Sequence, residues 1–192
     1  PAFQKQANDH ELSVTAKNNS TNLLDVTTVA FNADASASFD AGYDAIKSAG
    51  ALSRHTLYTT MSGSPSWLCL NVVKDIETTN SIPLNFEPGV NGNYSFSFNG
   101  INTFDPTSYI TLEDKLLNVF HDVRSGDYTF NADANDNWNR FVLHFTPAAK
   151  FNNNSATCNA MGNINITQPG VANWTYTIVN SANVTIGTGV LN

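Results

Sequence analysis

Apolar and polar residues alternate in short runs along most of this chain. Tyr128 and Phe130 alternate with Thr129 and Asn131, and Phe141, Leu143 and Phe145 alternate with Val142 and His144. A period of two is what a sheet with one buried face requires, because successive side chains point to opposite faces. The same reading predicts strands over residues 11–16, 24–31, 55–60, 67–73, 81–86, 94–98 and 109–112. Val26, Thr27, Thr28 and Val29 are β-branched, which suits a pleated surface better than a helix. Breakers stand between the runs at Gly63-Ser64-Pro65, Pro88-Gly89 and Asn99-Gly100. Asn99-Gly100 follows the alternating Tyr94, Phe96 and Phe98 and precedes Ile101 and Phe104, so it predicts a tight hairpin. A short helix is expected over 41–49, capped by Asp40 and stopped by Gly50.

Many short strands with no long helical pattern between them predict an all-β chain. The expected fold is an antiparallel β-sandwich, jelly-roll-like or Ig-like, over residues 8–146. Its core should hold Phe31, Leu70, Val72, Phe96, Phe98, Phe130, Phe141, Leu143 and Phe145. A polar stretch over 147–157 reads as a linker. Alternation resumes at Asn163-Ile164-Asn165-Ile166-Thr167, turns at Gln168-Pro169-Gly170, and continues through Trp174 to Ile178 and Val184 to Ile186. Residues 158–192 are therefore expected either to begin a second small β module or to pack their strands on the first.

Composition narrows the function. Sixteen acidic residues against nine Lys and Arg give a formal charge of -7, which opposes nucleic-acid binding. Charged residues make up only 13% of the chain, so uncharged polar residues must cover the surface, as in many extracellular β modules. No apolar run is long enough to span a bilayer, and membrane insertion is not expected. Cys69 and Cys158 lack the CxxC spacing of a zinc or redox site; they form either a single disulfide or two unpaired thiols.

Four segments together carry a family likeness: Asp40-Ala-Gly-Tyr-Asp44-Ala-Ile-Lys47, Ile110-Thr-Leu-Glu-Asp-Lys115-Leu, Asp127-Tyr-Thr-Phe130 and Asn139-Arg-Phe-Val-Leu-His-Phe145. In this order they resemble the β-sandwich module of large secreted Bacteroidota surface proteins, which lies upstream of the C-terminal sorting domain of the type IX secretion system. The tail, with Gly162-Asn-Ile-Asn-Ile-Thr and Asn173-Trp-Thr-Tyr-Thr177, resembles the start of the short β module that often follows. The resemblance implies a secreted or cell-surface location and a non-catalytic structural or adhesive role. Its implied partners are neighbouring domains of the same protein, with glycans or a cell-surface protein as further candidates. The Arg- or Lys-rich end of the sorting signal does not occur here, so the chain is not expected to direct its own secretion.

Candidate chemistry is sparse. Glu113, Asp114 and Asp122 offer carboxylates, but Glu113-Asp114-Lys115 reads as a charged turn ending a strand. Neither a Gly-x-Ser-x-Gly elbow nor HExxH spacing among His10, His55, His121 and His144 is present, and no catalytic residue is assigned. A glycoside hydrolase or protease domain remains the reading from the enzyme class. Calcium is the candidate ion, because hard cations take several oxygen ligands from loops. Asp133, Asn135, Asp136 and Asn137 form one oxygen-rich loop, and Asp40 with Asp44 form a second pair around Gly42. The competing reading is polar turns held by Asx hydrogen bonds. A buried Asp44 would need a partner, with Arg140 or Lys47 as candidates. For a carbohydrate-binding module the expected ligand residues are Trp138, Asn137 and Asn139, while Trp67 reads as core.

Overall fold

The computed structural model describes residues 8–48, 54–61, 66–154, 163–167 and 174–191. It is all-β, as the alternation predicts. The first strands are β1 (His10–Asn18), β2 (Leu24–Phe31), β3 (Ala45–Ile46), β4 (Thr56–Thr59), β5 (Leu68–Val73) and β6 (Ser81–Glu87). They are followed by β7 (Gly92–Asn99), β8 (Tyr109–Asp114), β9 (Val119–Asp122), β10 (Tyr128–Ala132) and β11 (Phe141–Thr146). These eleven form one sheet in the order β10-β7-β1-β2-β5-β4-β6-β11-β8-β9, with β3 added beside β5.

β1 and β2 form a hairpin with Leu12 opposite Val29 and Val14 opposite Thr27. Its turn follows from Asn18, whose side-chain oxygen accepts from the N–H groups of Ser20 and Thr21 at 3.0 and 3.1 Å. Pairing is antiparallel throughout except between β2 and β5, which run parallel with Val29 opposite Asn71. The long connection between those two strands, which contains β3 and β4, gives the chain room to cross over.

The two sheet edges, β9 and β10, are neighbours in sequence. Residues 123–127 carry the chain from one to the other through a single 3-10 turn at Val123–Ser125. Side chains then draw the edges together. The His121 and Tyr128 rings lie 5.2 Å apart, and Tyr128 on β10 donates to Asp114 on β8 at 2.9 Å. The result is a large mixed sheet that is nearly closed around one core.

Phe86 sits at the centre of that core, with edge-on contacts to Tyr94, Phe96, Phe130 and Phe141. Seven of the nine expected core residues are buried; Leu70 and Phe98 are only partly so. Leu70 and Val72 pack with Ala30 and Ala35 in a small second cluster, separate from the main core.

Two local expectations need correction. The described part of residues 41–49 is not helical. Asp40 does cap a single turn, accepting from Gly42 N–H at 2.8 Å, but Asp44 then takes the N–H of Val72 and the chain enters β3. Ala45 and Ile46 pair with Leu70 and Leu68 of β5, and an isolated helical turn has no such tertiary partner to offset its nucleation cost. Asn99-Gly100 likewise makes no hairpin. Gly100 has φ of +84°, but it leads into a 3-10 turn at Ile101–Thr103, and β7 pairs with β1 and β10 instead. Thr103 fixes this turn against β1: its hydroxyl accepts from Glu11 N–H at 2.9 Å and donates to Gly100 C=O at 2.7 Å.

Beyond Phe145 the chain forms two further two-stranded sheets. β12 (Lys150–Asn154) pairs with β13 (Asn163–Thr167), and β14 (Trp174–Val179) pairs with β15 (Thr185–Leu191). β12 occupies residues expected to be linker. The turn expected at 168–170 and Cys158 lie outside the described residues; Cys69 is a free, half-buried cysteine whose thiol lies 3.5 Å from the Ala45 carbonyl.

Candidate functional site

Ile110, Leu112 and Asp114 share the inward face of β8, so the strand's alternation carries a carboxylate into the core. Arg140, one residue before β11, meets it with a fork: Nε donates to Asp114 Oδ1 at 2.8 Å and Nη2 to Oδ2 at 2.5 Å. Tyr128 donates to Oδ2, and the N–H groups of Leu116 and Leu117 donate to Oδ1 at 3.0 and 3.3 Å. The remaining guanidinium nitrogen donates to Asn131 C=O at 2.8 Å, and the guanidinium carbon lies 5.0 and 4.9 Å from the Phe130 and Phe141 ring centres. Burial alone would push the Asp114 carboxyl up, but the hydrogen bonds from Arg140 and Tyr128 outweigh it and hold the group below the ordinary carboxylate value. Burial, reinforced by the bond to Asp114, pushes the Tyr128 phenol up to about 12.

This buried network supports a cleft of about 220 Å³ lined by Lys115, Leu116, Asp136, Asn137, Asn139 and Arg140. The loop beside it is shaped by its own side chains. Asp133 Oδ1 accepts from Asn135 N–H at 3.0 Å and Asp136 Oδ2 accepts from Asp133 N–H at 3.0 Å. Asp133 Oδ2 accepts from Asn91 at 2.9 Å, and Asp136 approaches Arg140 at 3.6 Å. Asn137 and Asn139, both expected to bind ligand, line the cleft together. Trp138, between them in sequence, is not among the residues lining the cleft; its carbonyl accepts from Phe86 N–H at 2.8 Å and the residue is 49% exposed.

Asp40 and Asp44, the second expected calcium pair, lie at the turn before β3, with Asp44 bound to the N–H groups of Asp40 and Val72, both at 2.8 Å. The partners foreseen for Asp44 are used elsewhere. Arg140 holds Asp114, and Lys47 pairs with Asp25 at 2.5 Å. Among the described residues, no three His, Cys, Asp or Glu side chains converge as metal ligands. Trp67 stacks on Tyr58 at 4.4 Å, and His144 on the outer side of β11 reaches Glu113 at 2.8 Å.

Sequence reasoning missed the Asp114 network. The signal was present, since Asp114 has the inward parity of Ile110 and Leu112, but its charged neighbours Glu113 and Lys115 made it read as a surface turn.

A family model described as "Domain of unknown function (DUF8693)" matches residues 4–145. The chain belongs to the DUF8693 family. The match takes in the whole eleven-stranded sheet apart from the last residue of β11, together with every residue lining the cleft. It leaves the two C-terminal hairpins outside the DUF8693 domain. No curated protein and no solved structure matches this chain significantly.

Proposed function

We propose that this DUF8693 chain is a non-catalytic adhesive module of a secreted, cell-surface multidomain protein, and that it holds glycans at the loop containing Trp138. The observation that carries the reading is half-exposed Trp138, flanked in sequence by two asparagines that line one cleft. A pyranose ring offers C–H groups to a flat aromatic face and hydroxyls to amide and carboxylate side chains, and Asn137, Asn139 and Asp136 supply both donors and acceptors. The cleft is small, suited to a single sugar ring more than to a long buried ligand. Lys115 and Asp136 set opposite charges on its walls, and Arg140, the third charged residue there, is already paired with Asp114, which favours a neutral ligand. The resemblance to secreted Bacteroidota modules supports the extracellular setting.

A second reading has its own observation. The β8–β9 hairpin presents Leu116 at 60%, Leu117 at 56% and Phe120 at 62% exposure, a tip suited to packing against a neighbouring protein domain. One experiment separates the two. Glycan-array binding by the intact chain should disappear in Trp138→Ala and persist in Leu117→Ser/Phe120→Ser. Absence of glycan binding by the parent chain would overturn the glycan reading. Binding to a neighbouring domain that disappears in the tip variant, and survives in Trp138→Ala, would favour the second.

A further inference from the structure

Every Asp, Glu, Lys, Arg and His of this chain lies at or before Lys150, so residues 151–192 carry no charged side chain. The last hairpin, β14–β15, falls wholly within that stretch. It is a two-stranded sheet, so among the described residues the outer edge of each strand has no neighbour. Exposed strand edges are ordinarily blunted with Lys, other charges, Pro or bulges, because unpaired N–H and C=O groups template a further strand. The six residues of β14 and the seven of β15 include neither a charge nor a Pro. Their single bulge falls at the start of β15, between the pairs Ile178–Gly187 and Val179–Thr185.

The two strands are not equivalent. Tyr176 on β14 lies across Gly189, where a Cβ would overlap the phenol ring, and Ile178 stands over Gly187. Both side chains are thereby partly covered within the hairpin. β15 keeps Ile186 and Val190 at 65% and 58% exposure, with Thr188 exposed between them. A two-stranded sheet is marginal in water, and a further strand beside β15 would pair its free backbone and cover these side chains together.

We propose that β15 pairs edge to edge, antiparallel, with β15 of a second copy of this chain, joining two hairpins into one four-stranded sheet. Centred on Thr188, the pairing sets Thr188 against its own copy, Gly187 against the second copy's Gly189, and Ile186 against the second copy's Val190. In a two-fold contact of this kind, a charged side chain near the axis faces itself, and like charges directly opposite are destabilising. Absence of charge is thus what self-pairing demands, whereas a partner of different sequence could be matched with opposite charges. The body, which holds the whole formal charge of -7, repels its own copy and confines the contact to the uncharged tail. The edge of one short strand is a small interface, so the dimer is weak and concentration-dependent.

Sedimentation equilibrium of the intact chain should show the average mass rising from one copy towards two as concentration increases. Thr188→Lys and Thr188→Glu should each remain monomeric where the parent dimerises. An equimolar mixture of these two variants should dimerise again, because opposite charges then meet across the axis. Thr188 is exposed, so neither variant disturbs the packing of Tyr176 on Gly189, and unchanged amide NMR shifts at those two residues check this. Trp138→Ala should associate like the parent, which keeps the result separate from the glycan reading. A parent chain that stays monomeric up to its solubility limit would overturn the proposal. So would Thr188→Lys that dimerises as the parent does, or a Lys/Glu mixture that stays monomeric.

Discussion

Removing the Arg140 guanidinium would leave the Asp114 carboxylate in the core without its charge partner. Breaking a buried pair from one side costs about 3–5 kcal/mol, because the remaining charge is stranded away from water. Arg140→Ala should therefore lower the urea midpoint sharply. The triple change Arg140→Met, Asp114→Leu and Tyr128→Phe should stay within about 1 kcal/mol of the parent or exceed it, since a well-packed apolar replacement avoids the desolvation of both charges. The same network gives stability a defined pH dependence. The folded Asp114 carboxyl lies below its unfolded value of about 3.9, so its contribution is complete above that pH and is lost as pH falls through the folded value. Tyr128 is raised from about 10 to about 12, so its contribution is complete below about pH 10 and is lost as pH rises towards 12. Urea midpoints across this range should show a plateau with a shoulder at each end. Tyr128→Phe should remove the alkaline shoulder assigned to this phenol and keep an acid one; an unchanged alkaline limb would show that other groups set it.

Strands were the legible elements, because one-sided burial writes itself into the sequence as alternation. The expected run 24–31 coincides with β2, and Leu12, Val14 and Ala16 fall on the buried face of β1 as their spacing requires. Connections were less legible, because their geometry depends on what lies beside them. Asn99-Gly100 has the chemistry of a hairpin turn, yet Gly100 uses its positive φ to bring the chain close against β1. A Cβ at Gly100 would overlap the Glu11 carbonyl oxygen, whereas one at Gly126, with φ of +114°, would meet nothing within 4 Å. Gly126→Ala should thus cost only its backbone strain, about 1–3 kcal/mol. Gly100→Ala should add displacement of β1 to a left-handed strain of about 1–2 kcal/mol. Amide NMR should show large shifts at Glu11 and Leu12 for Gly100→Ala alone. Equal disturbance of β1 by both variants would mean that Gly100 does not touch that strand closely enough to matter.

At the scale of the whole molecule, closure of the sheet was not legible, because it rests on contacts far apart in sequence. The parallel pairing of β2 with β5, and the meeting of Arg140 with Asp114, bring together positions whose local patterns carry no trace of one another. Among the described residues the main cluster of buried core residues ends at Phe145, where the sequence turns polar. An ion pair between exposed Lys150 and Glu77 ties β12 to the main body, and exposed pairs contribute at most about 1 kcal/mol. Residues 150–191 place Phe151, Ile164, Ile186 and Val190 largely in solvent, so burying them contributes little to the fold as it stands. A chain ending at Ala149 should then unfold with the denaturant midpoint and slope of the full chain, because the slope follows the surface exposed on unfolding of the cooperative unit. If the midpoint instead falls markedly, or the slope drops in proportion to the residues removed, the hairpins belong to the same cooperative unit as the eleven-stranded sheet.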